Sequence, residues 1–156
     1  MSSAATTFGQ RGFALAWLFP CLVLALHLWD QAAHDFLSYY NATALTLYGY
    51  LSWLPRMDLT RHQWLAGWIA VIVGLFAVTP FAVRNARWLR PFAYLLSVLV
   101  FLEALGYVVA QILGGTVPSV RFDGIAPGFY TAMLFFPTAG YLFWHLRRTR
   151  ATHHAG

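Results

Sequence analysis

The sequence predicts an all-α integral membrane protein: four transmembrane helices in a bundle, both termini cytoplasmic, with an aromatic interfacial segment after the first helix. Three observations predict it. The 156 residues are 60% apolar and only 10% charged, whereas a soluble domain carries about a quarter charged residues. Four apolar runs approach or reach the roughly 20 residues that a bilayer crossing needs. The arginines gather at the ends of those runs and not within them.

The first run covers 12–29. It follows Arg11 and ends in His27-Leu28-Trp29-Asp30. No small-x-small cleavage site follows it, so it reads as a retained span and not as a signal peptide. Cys21 lies within it, after Phe19-Pro20, which does not resemble a lipoprotein cleavage site. As the only cysteine it can form no intrachain disulfide and no cysteine-based metal motif. It reads as a small buried apolar residue.

Segment 36–54 (FLSYYNATALTLYGYLSWL) is apolar and aromatic enough to raise the question of a fifth span. The arginines answer it. With four spans, Arg11, Arg84, Arg87, Arg90, Arg147, Arg148 and Arg150 share one side, and Arg56, Arg61 and Arg121 share the other. A fifth span would reduce this bias to six against four. The segment therefore reads as interfacial or partly re-entrant, with its Tyr and Trp at headgroup depth. Asn41-Ala42-Thr43 fits the glycosylation pattern, which is short and common.

The second run, 64–83, and the third, 91–113, are joined by Arg84, Arg87 and Arg90. Pro91 suits a first helical turn, where its missing N–H is not needed. Gly114-Gly115 stops the third run. Pro127-Gly128 opens the fourth, 128–146, and Arg147, Arg148 and Arg150 close it. Residues 1–148 thus form one transmembrane domain, and the polar tail 149–156 is expected to fray. The seven-arginine side is cytoplasmic by the positive-inside rule. The net charge of +5 contains no lysine and is explained by a membrane surface, not by nucleic acid. The expected location is the inner membrane of a bacterium, crossed several times and surrounded by lipid.

Ionisable residues at membrane depth are costly and usually face other helices. Glu103 lies near the middle of the third run, where a charge costs about 2.5–3.5 kcal/mol on insertion scales. Tyr107 and Gln111 follow at i+4 and i+8, on the same helix face. A second group ends the first run: His27, Asp30, Gln31, His34 and Asp35. On a continuing helix, His27, Asp30 and His34 share one face. These ligand types suit a divalent metal such as zinc or iron, and they also suit a proton relay. Each of these residues also has a structural reading, as a hydrogen bond between helices or a polar residue at a span end.

His27-x-x-Asp30-Gln31, followed by Phe36 and Tyr40-Asn41, resembles the HXXEE-motif family of small bacterial four-span membrane proteins. That family carries a His-x-x-Glu-Glu motif near the end of its first span. It also has an Asn-x-x-x-His pair in the third span and a Pro-Gly-x-x-Thr-Ala element opening the fourth. Pro127-Gly128-Phe129-Tyr130-Thr131-Ala132 matches the last element closely, and Pro137 follows. The departures are Asp30 and Gln31 at the two glutamates, and Glu103 and Tyr107 at the span-three pair. The resemblance implies a polar site rewritten and not erased. It implies no particular reaction.

Two functional classes follow. In one, the protein associates with a larger membrane complex or binds a lipophilic ligand or pigment among its helices, with Gln31, His34, Gln111 and Thr131 as binding residues. In the other, it is a membrane-embedded enzyme acting on a lipid or isoprenoid. There Glu103 would be general acid or base, His27 would relay a proton or hold a metal with Asp30 and His34, and Tyr107 would donate a hydrogen bond. The physical analogy is a four-span sterol isomerase whose carboxylates stabilise a carbocation.

Overall fold

A computed structural model of the chain describes residues 3–53, 59–113 and 125–151. The described residues are helical almost throughout. In chain order they form α1 (Ser3–Ala33), α2 (Phe36–Tyr50), α3 (Arg61–Val83), α4 (Leu89–Leu113), α5 (Phe129–Met133) and α6 (Phe135–Ala151). Three stretches are long and apolar enough to cross a membrane: Gly12–Ala33 of α1, Arg61–Val83 and Leu89–Ile112.

The first three predicted runs coincide with these helices, each a few residues longer than expected. The fourth is divided. α5 and α6 are separated at Leu134, and neither piece alone has the roughly 20 residues of a span. Pro137 explains the break: it has no N–H to offer the carbonyl of Met133, four residues back. The chain tightens there, with Leu134 N–H bonded to Thr131 O at 3.2 Å. α6 runs on through Ala151; the rest of the tail, where fraying is expected, lies outside the described residues, as do Gly114-Gly115.

Segment 36–54 folds largely as α2. Its 15 residues rise about 22 Å at 1.5 Å each, short of a hydrocarbon core of about 30 Å. Asp35, at φ 49°, turns the chain between α1 and α2; a short polar side chain tolerates that left-handed geometry. The Asn41 amide holds the far end. It donates to Leu59 O at 3.1 Å and accepts from Leu59 N–H at 3.4 Å, so the nitrogen that glycosylation would consume is already engaged. A capping box then starts α3: the Thr60 side chain accepts from Gln63 N–H, and Thr60 N–H donates back to Gln63 Oε1 at 3.0 Å, satisfying two donors with no partner in the helix.

Contacts between residues far apart in sequence set the packing. α1 lies between α3 and α6. Trp17 Nε1 donates to Leu75 O of α3 at 3.3 Å, and Phe13 stacks on His145 of α6 with ring centres 6.2 Å apart. α4 flanks α6 antiparallel, with Tyr94 against Phe143, Ser97 bonded to Ala139 O at 2.9 Å, and Phe101 against Phe136. Buried Ala93, Ala104, Ala132 and Ala139 line these contacts; small residues let helices approach closely where lipid gives no hydrophobic drive to associate. Gly12 serves the same end, since a Cβ there would lie 2.7 Å from His145 Cε1. Cys21 is buried and its thiol is bonded to Trp17 O of its own helix. α3 keeps only Trp64 and Ala82 buried and turns Ile69, Val71, Val73 and Phe81 outward.

Candidate functional site

His27 lies six residues before the end of α1, and Tyr107 lies six before the end of α4. Both therefore sit about 9 Å inside their helix ends, at 1.5 Å per residue. α1 and α4 each pack antiparallel to α6, so they run parallel to each other and bring these two levels together. The returning chain enters between them through Gly128, whose φ of 86° lies in the left-handed region that glycine adopts without penalty. Here the absence of a side chain is also a matter of space. A Cβ on Gly128 would lie 2.9 Å from the Tyr107 hydroxyl, 3.0 Å from His27 Cε1 and 3.1 Å from Gln31 Cγ.

His27 is the hub, only 2% exposed. Its ring packs edge-on against Tyr107 and Phe135, each with centres 5.1 Å away. Its Nε2 is 2.9 Å from Gln31 Nε2, which also donates to the Tyr107 hydroxyl at 2.6 Å. Its Nδ1 is 2.9 Å from Thr131 Oγ1, and that hydroxyl is 2.7 Å from Asp30 Oδ2 and 3.0 Å from Gly128 O.

These contacts impose a direction. With the Gln31 amide nitrogen turned to it, His27 Nε2 is the acceptor and Nδ1 is the ring's donor. Nδ1–H then donates to Thr131 Oγ1, and the single Thr131 proton goes to the Asp30 carboxylate. The Thr131 hydroxyl thereby joins the His27 ring to the Asp30 carboxyl group. Protonating His27 at Nε2 requires the Gln31 amide to turn its oxygen inward. The charged ring would then lie 3.8 Å from Glu103 Oε1, a distance at which opposite charges attract but do not share a hydrogen bond.

Glu103 stands apart from this row. Its side chain is 40% exposed and its Oε1 lies 3.8 Å from His27 Nε2, so it borders the cluster and is not enclosed by it. Tyr107 does turn inward. Gln111 serves the backbone, accepting from Ala126 N–H at 3.0 Å and so fastening the start of α5. His34 turns away: its side chain is 63% exposed, and its Nδ1 lies 2.9 Å from both Asp30 Oδ1 and Asp30 O. The expected His27–Asp30–His34 metal triad does not assemble. No group of three His, Cys, Asp or Glu placed to hold a metal occurs among the described residues. His34 lies in the turn just past the end of α1 and is mostly exposed, and His27 spends both ring nitrogens on Thr131 and Gln31.

Beside Glu103 lies a cavity of about 360 Å³. α2 lines it with Phe36, Tyr39 and Tyr40, α3 with Trp64 and Trp68, and α4 with Glu103 and Tyr107. Gln31 joins its wall to the polar row. Headgroup depth alone does not account for these aromatic residues of α2. The signal was present in their spacing: positions i, i+3 and i+4 on α2 and i, i+4 on α3 put each set on one face.

Compared with known proteins, the chain matches no family model, no curated protein and no solved structure. The likeness to HXXEE-motif proteins accordingly rests on the short motifs themselves. In this fold His27, Asp30, Gln31, Glu103, Tyr107 and Thr131 are neighbours.

Replacing Thr131 with valine keeps its shape and removes the bridging oxygen. Interhelical hydrogen bonds in membrane proteins contribute about 0.6 kcal/mol on average, because the membrane-inserted unfolded state also finds partners. Two partners are lost here, so Thr131→Val is expected to cost about 1 kcal/mol. Thr131→Ser should keep most of the stability. Thermal unfolding of the two variants in detergent checks this, and equal midpoints would remove Thr131 from the row.

Proposed function

We propose that this is a four-span membrane protein, with α5 and α6 together as its fourth crossing and both ends in the cytoplasm, that binds a lipophilic ligand in the cavity between α2, α3 and α4. One observation carries the reading. A cavity of about 360 Å³, lined largely by aromatic rings, opens directly onto Glu103, Gln31 and Tyr107. Ligand sites commonly take this form, as mostly apolar concavities with a few convergent polar groups. The outward apolar face of α3 contacts lipid or a partner subunit in this arrangement. In the bacterial inner membrane, the seven-arginine side faces the cytoplasm, so the cavity opens in the outer half of the bilayer.

Gly106 supplies the test. It lines the cavity, and a Cβ there meets nothing within 4 Å. Gly106→Trp therefore fills the space while adding a better helix former than glycine. The wild-type protein, purified in mild detergent, is expected to yield a stoichiometric lipophile by mass spectrometry of its organic extract. The variant is expected to fold and to yield none. Equal yields from both, or an empty wild type, would remove the cavity from the function. A C-terminal reporter active only in the cytoplasm is expected to be active.

A second reading, a membrane-embedded enzyme acting on a lipid or isoprenoid, is favoured by one specific observation. Thr131 links the His27 ring to the Asp30 carboxylate at 2.9 and 2.7 Å. Such a row can hold a proton at His27 Nε2 facing Glu103, the geometry that acid–base work on a neighbouring ligand needs.

A further inference from the structure

The cavity's lining has a charge character that the ligand-binding reading leaves unused. Glu103 is the only charged residue among the described residues that line it. His27 Nε2 stands 3.8 Å from the carboxylate, too far for a hydrogen bond, and is taken by the Gln31 amide at 2.9 Å. No arginine pairs with the Glu103 carboxylate among the described residues. Around it stand Phe36, Tyr39, Tyr40, Trp64, Trp68 and Tyr107. Aromatic faces carry negative potential, and clusters of such faces bind quaternary ammonium groups. Carboxylate and rings thus favour the same sign of charge. A neutral ligand would use the rings and leave the carboxylate without a partner, at the cost of burying an unpaired charge. An anion would be repelled by both.

We propose that the cavity takes an organic monocation, an ammonium group carried on an apolar body, with the ammonium held between Glu103 and the aromatic rings. The proposal rests on the reading of the cavity as a ligand site and adds the chemical class of the ligand. Access agrees with it: the Glu103 side chain is 40% exposed, so a ligand can reach the carboxylate without displacing the buried row around His27. Gly106, with open space beside it, leaves room for the apolar body along α4.

The test compares two probes of one shape. Benzyltrimethylammonium and neopentylbenzene differ in a single atom, nitrogen against carbon, and hence in charge. The full chain in nonionic detergent is titrated with each and followed by calorimetry and tryptophan fluorescence. The cation is expected to bind at least tenfold more tightly than its neutral isostere. Glu103→Gln is expected to reduce that ratio several-fold while leaving the neutral probe's affinity unchanged, and Trp68→Ala is expected to weaken both. If wild type binds the two probes equally, the cationic class is wrong, although the cavity remains a ligand site; if Glu103→Gln leaves the ratio intact, Glu103 does not hold the ammonium and the proposed site is wrong. If neither probe binds, both the class and the ligand-binding reading fall. The comparison of probes on the wild-type protein needs no variant to fold.

Discussion

Gly128→Ala is expected to destabilise the protein by about 2–5 kcal/mol. Two costs add. A non-glycine residue in the left-handed region pays about 1–2 kcal/mol, and φ at Gly128 is 86°. The new Cβ would also lie 2.9–3.1 Å from Tyr107, His27 and Gln31, and overpacking of this kind costs about 1–3 kcal/mol. These neighbours cannot withdraw freely, because each is tied to another by the hydrogen bonds of the row. Nor does an unfolded state in the membrane relieve a clash, as it relieves a lost hydrogen bond. Unfolding by titration with a denaturing detergent checks the magnitude. Gly106→Ala is the control, because its Cβ meets open space, and it should be neutral or stabilising. Equal behaviour of the two variants would mean that the chain at Gly128 does not pass between α1 and α4.

The second large effect is expected of His27→Leu, at about 2 kcal/mol. Leucine fills a similar volume, so the loss isolates the ring's polar contacts. Gln31 would lose one acceptor, and Thr131 would lose the donor that lets its own proton serve Asp30. Leaving buried partners unsatisfied costs about 1–3 kcal/mol, tempered in membranes by partial compensation in the unfolded state. Thr131 keeps Gly128 O and Asp30, and Gln31 keeps Tyr107, which holds the estimate near the middle of that range. The same detergent titration reads it, with Leu24→Ala in the preceding turns of α1 as a packing reference. A His27→Leu protein as stable as wild type would mean that the row is not a connected network. His27→Leu combined with Thr131→Val would then cost no less than the sum of the singles; in a connected row the second change costs less than it does alone.

Much of this architecture was legible before any coordinates. Apolar runs of nearly membrane length located α1, α3 and α4 to within a few residues, except for α1's nine-residue N-terminal extension, because a chain in lipid must satisfy its backbone within one helix. The break in the last rod was visible as Pro137, though not its consequence, since proline is tolerated in membrane helices whose neighbours re-satisfy the freed carbonyl. Helical spacing also put His27 with Asp30, and Glu103 with Tyr107, on shared faces.

Sequence by itself determined which segments are apolar helices and which polar side chains each would have to place. Tertiary structure alone decided how those helices are rotated and which side chains meet. Periodicity gives a face but not its partner: Thr131 lies 104 positions from His27, and nothing local predicts that its hydroxyl bridges that ring to Asp30. The end of α1 at Ala33 left His34 in an exposed turn, while the path of α4 left Glu103 at the rim of a cavity. The folding back of α2 onto α3 and α4 gathered aromatic rings around that carboxylate. A side chain's chemistry is local, whereas its burial and its neighbours depend on packing among segments far apart in the chain.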